Sequence, residues 1–387
     1  MTIVVPKELY PGEQRVALVP AHVPLLTKAG FAVSVESGAG VLSGHSDAEY
    51  SERGAEVVAD SDKLLAQGDV VLTVRSAAAA GESGTRMAKN LKEGAAVVGF
   101  LDAYSPHDSF KELATRKATI LSMELIPRIT RAQSMDALSS MANLAGYKSV
   151  ILGAEALPKI FPMMMTAAGT VVPAKVFIVG VGVAGLQAIA TAKRLGAVVS
   201  AYDIRPAVKE QVESLGARFV EMELDTSDSE GSGGYAKAMD EEFYRKQREL
   251  MTEIVSETDL VITTAAIPGK KAPILVTKEM VEAMPLGSVV VDLAAERGGN
   301  CEVTKAGETV VHTGTTVLGP VNLPSSMPVH ASQLYSKNVT ELMLHCTTDG
   351  VFDPSAEDEI AAAVTLMRGG APASEAAAEQ MGLPAPA

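Results

Sequence analysis

The chain has 387 residues, 47% of them hydrophobic, and a formal net charge of −14. That length exceeds what one core fills and points to two domains, the apolar content excludes a disordered chain, and an acidic balance without a basic run excludes nucleic acid as a partner. The two cysteines, Cys301 and Cys346, stand far apart, and the six histidines are scattered without ligand spacing; the pattern implies a reduced cytosolic chain with no metal site and no thiol chemistry.

In chain order, MTIVVPKELYPGEQR lacks the basic segment, apolar stretch and cleavage site of a secretory signal and begins directly on a strand. Apolar segments Ile3 to Val5, Ala32 to Val35, Val70 to Val74, Ala95 to Phe100 and Ala118 to Leu121 alternate with helical stretches, predicting a first α/β lobe. Ser134 to Ile160 reads as a long helix whose Met135, Leu138, Met141, Leu144 and Ala145 pack a core, with Thr130 or Ser134 as its cap.

The run Val176 to Gly185 then predicts a buried strand that breaks into GxGxxG and continues as a helix, Ala184 to Leu195. Gly180 makes the tight turn, Gly182 lets backbone approach a pyrophosphate, Gly185 lets helix and strand pack closely, and the helix N-terminus faces the phosphates. A following strand, Ala197 to Tyr202, delivers Asp203, whose carboxylate accepts ribose hydroxyls and repels a phosphate there. This favours NAD(H) over NADP(H), a preference that Arg205 softens. Helix, glycine, strand connections recur at Gly30, Gly54, Gly196 and Gly216, the αβ joints of a parallel sheet.

Asp225 to Gly234 is an acidic Ser/Gly loop with no apolar anchor, expected to act as a lid or partner contact. An amphipathic helix, Lys237 to Val255, and strands Arg218, Leu260 to Thr264, Ser288 to Asp292 and Val317 to Gly319 complete a second lobe; Ser332 to Leu344 returns to the first as a helix. The Ala-, Glu-, Gly- and Pro-rich stretch after about Asp353 is expected to fray. Val176 to Ala192 is too short and too broken by glycine to span a membrane. The expected fold is α/β, with two Rossmann-like parallel-sheet lobes (residues 1–135 plus about 325–350, and 136–324) joined by long helices, a nucleotide cleft between them, and a flexible tail over 351–387.

The motifs PGEQRVALVP, PRITRAQSMDALSSMANLAGYKSVI, TAAGTVVPAKVFIVGVGVAGLQAIATAKRLGA, DIRPAVKEQVESLGA, GGYAKAM, TTAAIPGKKAP and VDLAAERGGNCE resemble the NAD(H)-binding first domain of the proton-translocating nicotinamide nucleotide transhydrogenases, from Val4 to about Leu344. The resemblance implies that Arg128, Gln133 and Asp136 orient the nicotinamide end, with Ile129 beside them and Asp136 paired to Arg128. It implies further nucleotide contacts at Gly180, Gly182, Val183, Gly185, Asp203, Ile204, Arg205, Gly234, Tyr235, Gln247, Ala265 and Ala266, with Tyr235 on a loop that closes over the cofactor. It also implies a homodimer that meets an NADP(H)-binding subunit and membrane-spanning subunits, on the cytoplasmic, inner face of the cell membrane. With no apolar span before residue 387, the resemblance leads to the expectation of the split-subunit form.

The same fold resembles alanine dehydrogenase, which needs an Arg, a Lys and a His/Asp pair in the first lobe. Here Arg15 remains, while Arg75 stands for the Lys, Asp102 for the His and Glu296 for the Asp. Hydride exchange between two nicotinamides moves no proton to a substrate heteroatom, so the loss of those groups agrees with transhydrogenation. An amino-acid oxidoreductase and a non-catalytic NAD(H)-binding module remain the alternatives.

Overall fold

The computed structural model describes residues 1–75, 82–221, 241–266 and 269–385. The expected lid Asp225 to Gly234, with Gly234 and Tyr235, lies outside them. Contacts divide the chain into a unit formed by Met1–Met141 with Pro324–Ala387 and a unit formed by Ala142–Leu323.

In the first unit the strands are β1 (Thr2–Val5), β2 (Ala32–Glu36), β3 (Glu56–Val58), β4 (Val70–Arg75), β5 (Ala96–Phe100) and β6 (Thr119–Ser122). They pair in parallel in the order β3-β2-β1-β4-β5-β6, so the winding reverses between β1 and β4. Because helices cover both faces, the strands read as continuous Val, Ile and Leu rather than alternating with polar residues. Val4, Val71, Val97 and Ile120 share one core with Leu64, Phe110 and Leu113.

The second unit opens with β7 (Met164–Thr166) and β8 (Gly169–Val171), an antiparallel hairpin exposed on both faces. Then come β9 (Lys175–Val179), β10 (Val198–Tyr202), β11 (Arg218–Phe219), β12 (Leu260–Thr263), β13 (Val289–Asp292), β14 (Thr309–His312) and β15 (Thr315–Leu318). They form one sheet in the order β11-β10-β9-β12-β13-β15-β14, with only β14 antiparallel, and the winding reverses between β9 and β12. Side chains alternate by strand parity: Val176, Ile178, Leu260 and Ile262 face Ala188, Ile189 and Val150, whereas Phe177, Val179 and Val261 face Met251, Val255 and Met280. Two helix layers therefore sandwich the sheet. All four predicted helix, glycine, strand joints form, with glycine φ between 76° and 93°.

The long helix is shorter than expected, Ala137–Ala156, and follows a 3-10 turn over Thr130–Met135. Neither Thr130 nor Ser134 caps it. Asp136 does, accepting the Ser139 N–H (2.9 Å) and hydroxyl (2.5 Å).

The expectation of a frayed tail over 351–387 does not hold for the described part, residues 351–385. After β16 (Thr347–Thr348) and β17 (Val351–Phe352), strand β18 (Thr365–Arg368) pairs antiparallel with β6, and β19 (Ala371–Pro372) pairs with β18. Leu366, Met367, Ala377 and Met381 enter the first unit's core, and Asp358 and Ser374 cap the two short helices between and after. Those apolar residues are too few and too irregularly spaced for periodicity to reveal; tertiary contact, not local pattern, orders the segment. Leu366→Ala is therefore expected to lower unfolding free energy by roughly 2–5 kcal/mol in a denaturant titration, where a free tail gives no change.

Candidate functional site

Strand β9 runs into Gly180, whose φ is +94°; a Cβ there would lie 2.8 Å from Thr264 Oγ1 and 3.0 Å from the Ala265 nitrogen. At Gly185 a Cβ would lie 2.0 Å from the Gly180 carbonyl oxygen. Both glycines are demanded by the fold itself. Gly182 differs: it is the N-cap of the helix Val183–Arg194, offers no capping side chain, and a Cβ there would meet nothing within 4 Å. Its smallness leaves space in front of first-turn amides that nothing in the helix satisfies, at the positive end of the helix dipole. Val183 borders that space, half-buried.

The cradle stands where the winding reverses, the position at which open α/β sheets bind ligands. Its other wall is the chain leaving β12. The Thr264 hydroxyl donates to the Gly180 carbonyl at 2.9 Å, and the half-buried Ala265 and exposed Ala266 follow.

Asp203, beyond the end of β10, is buried, and both its oxygens are engaged. Oδ2 accepts the Val181 N–H (2.7 Å) and Arg205 Nη2 (2.8 Å); Oδ1 accepts the Arg205 backbone N–H and Nε, each at 2.9 Å. The sequence pattern expects this carboxylate to accept ribose hydroxyls; in the structure it is held against the glycine loop, so a ribose hydroxyl would take the place of an arginine N–H. Ile204 lies between these residues, half-buried. On the helix Glu241–Ser256, Gln247 is buried and donates from Nε2 to the Tyr202 hydroxyl at 2.8 Å, while its Oε1 has no hydrogen-bond partner among the described residues. An orphaned acceptor beside β10, an acidic residue at that strand's end and free space before the helix amides fit an unphosphorylated dinucleotide, NAD(H).

The residues expected to orient the nicotinamide belong to the first unit. Arg128 is exposed and Ile129 half-buried ahead of the 3-10 turn; Ala132 and Met135 anchor that turn, leaving Gln133 exposed. Asn338, on the helix Pro328–His345, donates to the Ser134 carbonyl at 2.8 Å and holds the turn from behind. Asp136, expected to pair with Arg128, has both oxygens on Ser139 as the helix cap.

At its own winding reversal the first unit is filled rather than open. The Glu8 carboxylate accepts the Val74 and Arg75 N–H groups at 2.6 and 3.0 Å, and burial, with Glu13 nearby, pushes its pKa up to about 7. Glu124 accepts from Leu101, Ala103 and the Ser122 hydroxyl and is likewise raised by burial. Arg15, buried, is held bidentately by Glu13 at 2.7 Å on each arm, Arg75 lies 4.0 Å over the Tyr10 ring, and Asp102 stands 3.4 Å from His107 Nε2. Sequence reasoning missed Glu8, Glu13 and Glu124, although the four charges Lys7, Glu8, Glu13 and Arg15 within PKELYPGEQR, directly after a buried strand, were a signal for the first two. In the second unit Glu296 accepts the Asn322 N–H at 2.6 Å. Among the described residues no His, Cys, Asp or Glu group could hold a metal, and no helix is long and apolar enough to cross a membrane.

Sequence profiles of the alanine dehydrogenase/PNT N-terminal and C-terminal domains match residues 4–145 and 149–374. The chain belongs to the alanine dehydrogenase/PNT family. It is 48% identical over 374 residues to an NAD(P) transhydrogenase alpha-subunit polypeptide of Rhodospirillum rubrum, covering 96% of this chain and 97% of that one. The crystal structure of transhydrogenase from Sinorhizobium meliloti superposes with a TM-score of 0.86 at 45% identity, covering 96% of this chain and all of that one. An L-alanine dehydrogenase superposes at 0.82 with 25% identity, covering 99% of each. Membership makes this an oxidoreductase chain and supports NAD(H) as its nucleotide.

Gly182→Ala is expected to leave thermal stability nearly unchanged and to weaken NADH binding about tenfold or more by calorimetry, about 1.4 kcal/mol, whereas Gly185→Ala loses the fold. Glu8 gives a pH test. Its folded pKa lies above the ordinary carboxylate value of 4.5, so the native state holds the proton more tightly than the unfolded chain. The contribution of Glu8 to stability is greatest below that ordinary value and falls as pH rises through about 7, by on the order of 3 kcal/mol in all. Glu8→Gln should flatten this slope in denaturant titrations between pH 5 and 8.

Proposed function

We propose that this chain is the NAD(H)-binding subunit of a proton-translocating transhydrogenase, in which hydride passes between its nicotinamide and NADP(H) held on a separate polypeptide. Membrane-spanning partner subunits couple the transfer to proton movement, and the chain sits peripherally on the cytoplasmic face through them. The observation that carries the reading is the near end-to-end similarity to the Rhodospirillum rubrum alpha-subunit polypeptide.

The geometry agrees with it. In this reading Gly180, Gly182, Val183 and Gly185 seat the pyrophosphate, Asp203, Ile204 and Arg205 read the adenosine ribose, and Gln247, Ala265 and Ala266 complete the same site. Arg128, Ile129, Gln133 and Asp136 orient the nicotinamide. Bound NAD(H) supplies the hydride, and these residues hold and aim the ring while excluding water. No acid or base is required of them, because no substrate heteroatom gains or loses a proton. The first unit's Arg15 already spends its guanidinium on Glu13, which leaves it poorly suited to an amino-acid carboxylate.

A homodimer belongs to the proposal. The hairpin β7–β8 presents Met165 at 80% exposure, with Val172 at 69% directly after it, and an isolated two-stranded hairpin is marginal in water unless it is covered. The competing alanine dehydrogenase reading draws on the Asp102–His107 pair at the end of β5. Incubation with NAD and alanine decides between them. The chain alone should give no NADH absorbance with alanine and should reduce an NADP analogue from NADH only when an NADP-binding transhydrogenase subunit is added. Robust alanine turnover without a partner overturns the proposal, and NADH binding that never supports reduction in the reconstituted mixture favours a non-catalytic module.

A further inference from the structure

Asp292, at the end of β13 and without solvent exposure, accepts five hydrogen bonds: from the Thr263 hydroxyl (2.9 Å), the Ala294, Asn300 and Cys301 backbone N–H groups (3.0, 2.8 and 2.9 Å), and the Thr304 hydroxyl (2.7 Å). The segment after β13 is thereby folded back onto its own strand end. A Cβ on Gly299, whose φ is +80°, would lie 2.8 Å from Asp292 Oδ2. The glycine in LAAERGGNCE is thus a requirement of this tight return.

The return delivers one side chain to the nucleotide crevice from behind. Asn300, fully buried, sends both Nδ2 hydrogens to main-chain carbonyls of the segment leaving β12: Ala265 at 2.8 Å and Pro273 at 2.9 Å. Its own carbonyl accepts the Leu275 and Val276 N–H groups at 2.8 and 3.0 Å. Its Oδ1 has no partner among the described residues, so the two donors fix the amide. Ala265 in turn directly follows Thr264, whose hydroxyl holds the Gly180 carbonyl at the turn of the glycine loop.

We propose that Asn300 is a positioning residue for the dinucleotide: its amide, itself set by Asp292, clasps the Ala265 and Pro273 carbonyls and fixes the wall of the crevice opposite the glycine loop. The inference rests on the reading that the second unit binds NAD(H). Both functions of the clasp are donor functions, and no residue lacking two hydrogens on one planar group can replace it.

The test is NADH affinity across pH in the full-length chain, with thermal denaturation in parallel. Asn300→Asp places a carboxylate against two carbonyl oxygens. It should weaken NADH binding about tenfold or more at pH 8 and regain affinity toward pH 5.5, where a protonated acid donates again; the parent chain shows no such recovery. Asn300→Ser, which keeps one donor without charge, should fall between the two at pH 8. Amide hydrogen exchange at Ala265 and Ala266 in the absence of nucleotide should quicken in both variants. Folded variants with parent-like affinity and exchange overturn the clasp, as does a loss of fold in both at every pH, which would assign Asn300 to stability alone. A parent chain that fails to bind NADH overturns the nucleotide reading instead, and the exchange measurement then still decides whether the clasp exists.

Discussion

Buried and half-buried carboxylates that accept backbone N–H groups at the ends of parallel strands are the interaction on which both sheets depend. A parallel strand finishes with main-chain donors pointing out of the sheet, and a crossover loop must satisfy them without water. In the first unit Glu8 serves the end of β4 and Glu124 the end of β5; in the second, Asp203 serves the glycine loop and Asp292 the return after β13. Where the carboxylate is ionised the bonds are charge-assisted, and charge-assisted bonds hold geometry more firmly than neutral ones.

The two units solve the same topological problem in opposite ways. Both reverse their winding between the first strand and the fourth of the parallel sheet, and both therefore open a crevice at the carboxyl ends of those strands. In the first unit, Glu8 crosses from one strand end to the next and fills the gap, with Arg15 sealed against Glu13. In the second, a glycine loop leaves the gap clear, because Gly182 has nothing in front of it. One fold topology thus carries a carboxylate across the strand ends in one unit and a glycine with free space before it in the other.

The regions of this fold that were legible in sequence are those whose signal is local. The strand, GxGxxG, helix unit, the acidic residue after β10 and the helix, glycine, strand joints each follow from the steric needs of a few adjacent residues. What sequence reasoning missed depends on the partners each side chain finds. Asp136 also caps the helix, because Ser139 stands three residues on, and Asp203 is also held by Val181 and Arg205; neither contact shows in the local pattern. The last two strands belong to the sheet only because β6 offers them an edge. Asn300 gave no signal at all, since its task is defined by carbonyls dozens of residues earlier in the chain.

The sheet of the first unit is assembled from both ends of the polypeptide, whereas the second unit is one uninterrupted stretch, Ala142–Leu323. During synthesis the nucleotide lobe has every residue it needs while β18, the helix Glu375–Met381 and their apolar contributions to the other core are still untranslated. Domains fold as units as they emerge, and contacts of such wide sequence separation form late. The lobe that captures the cofactor is therefore ready first, and the scaffold around Glu8 closes only when translation has passed β18.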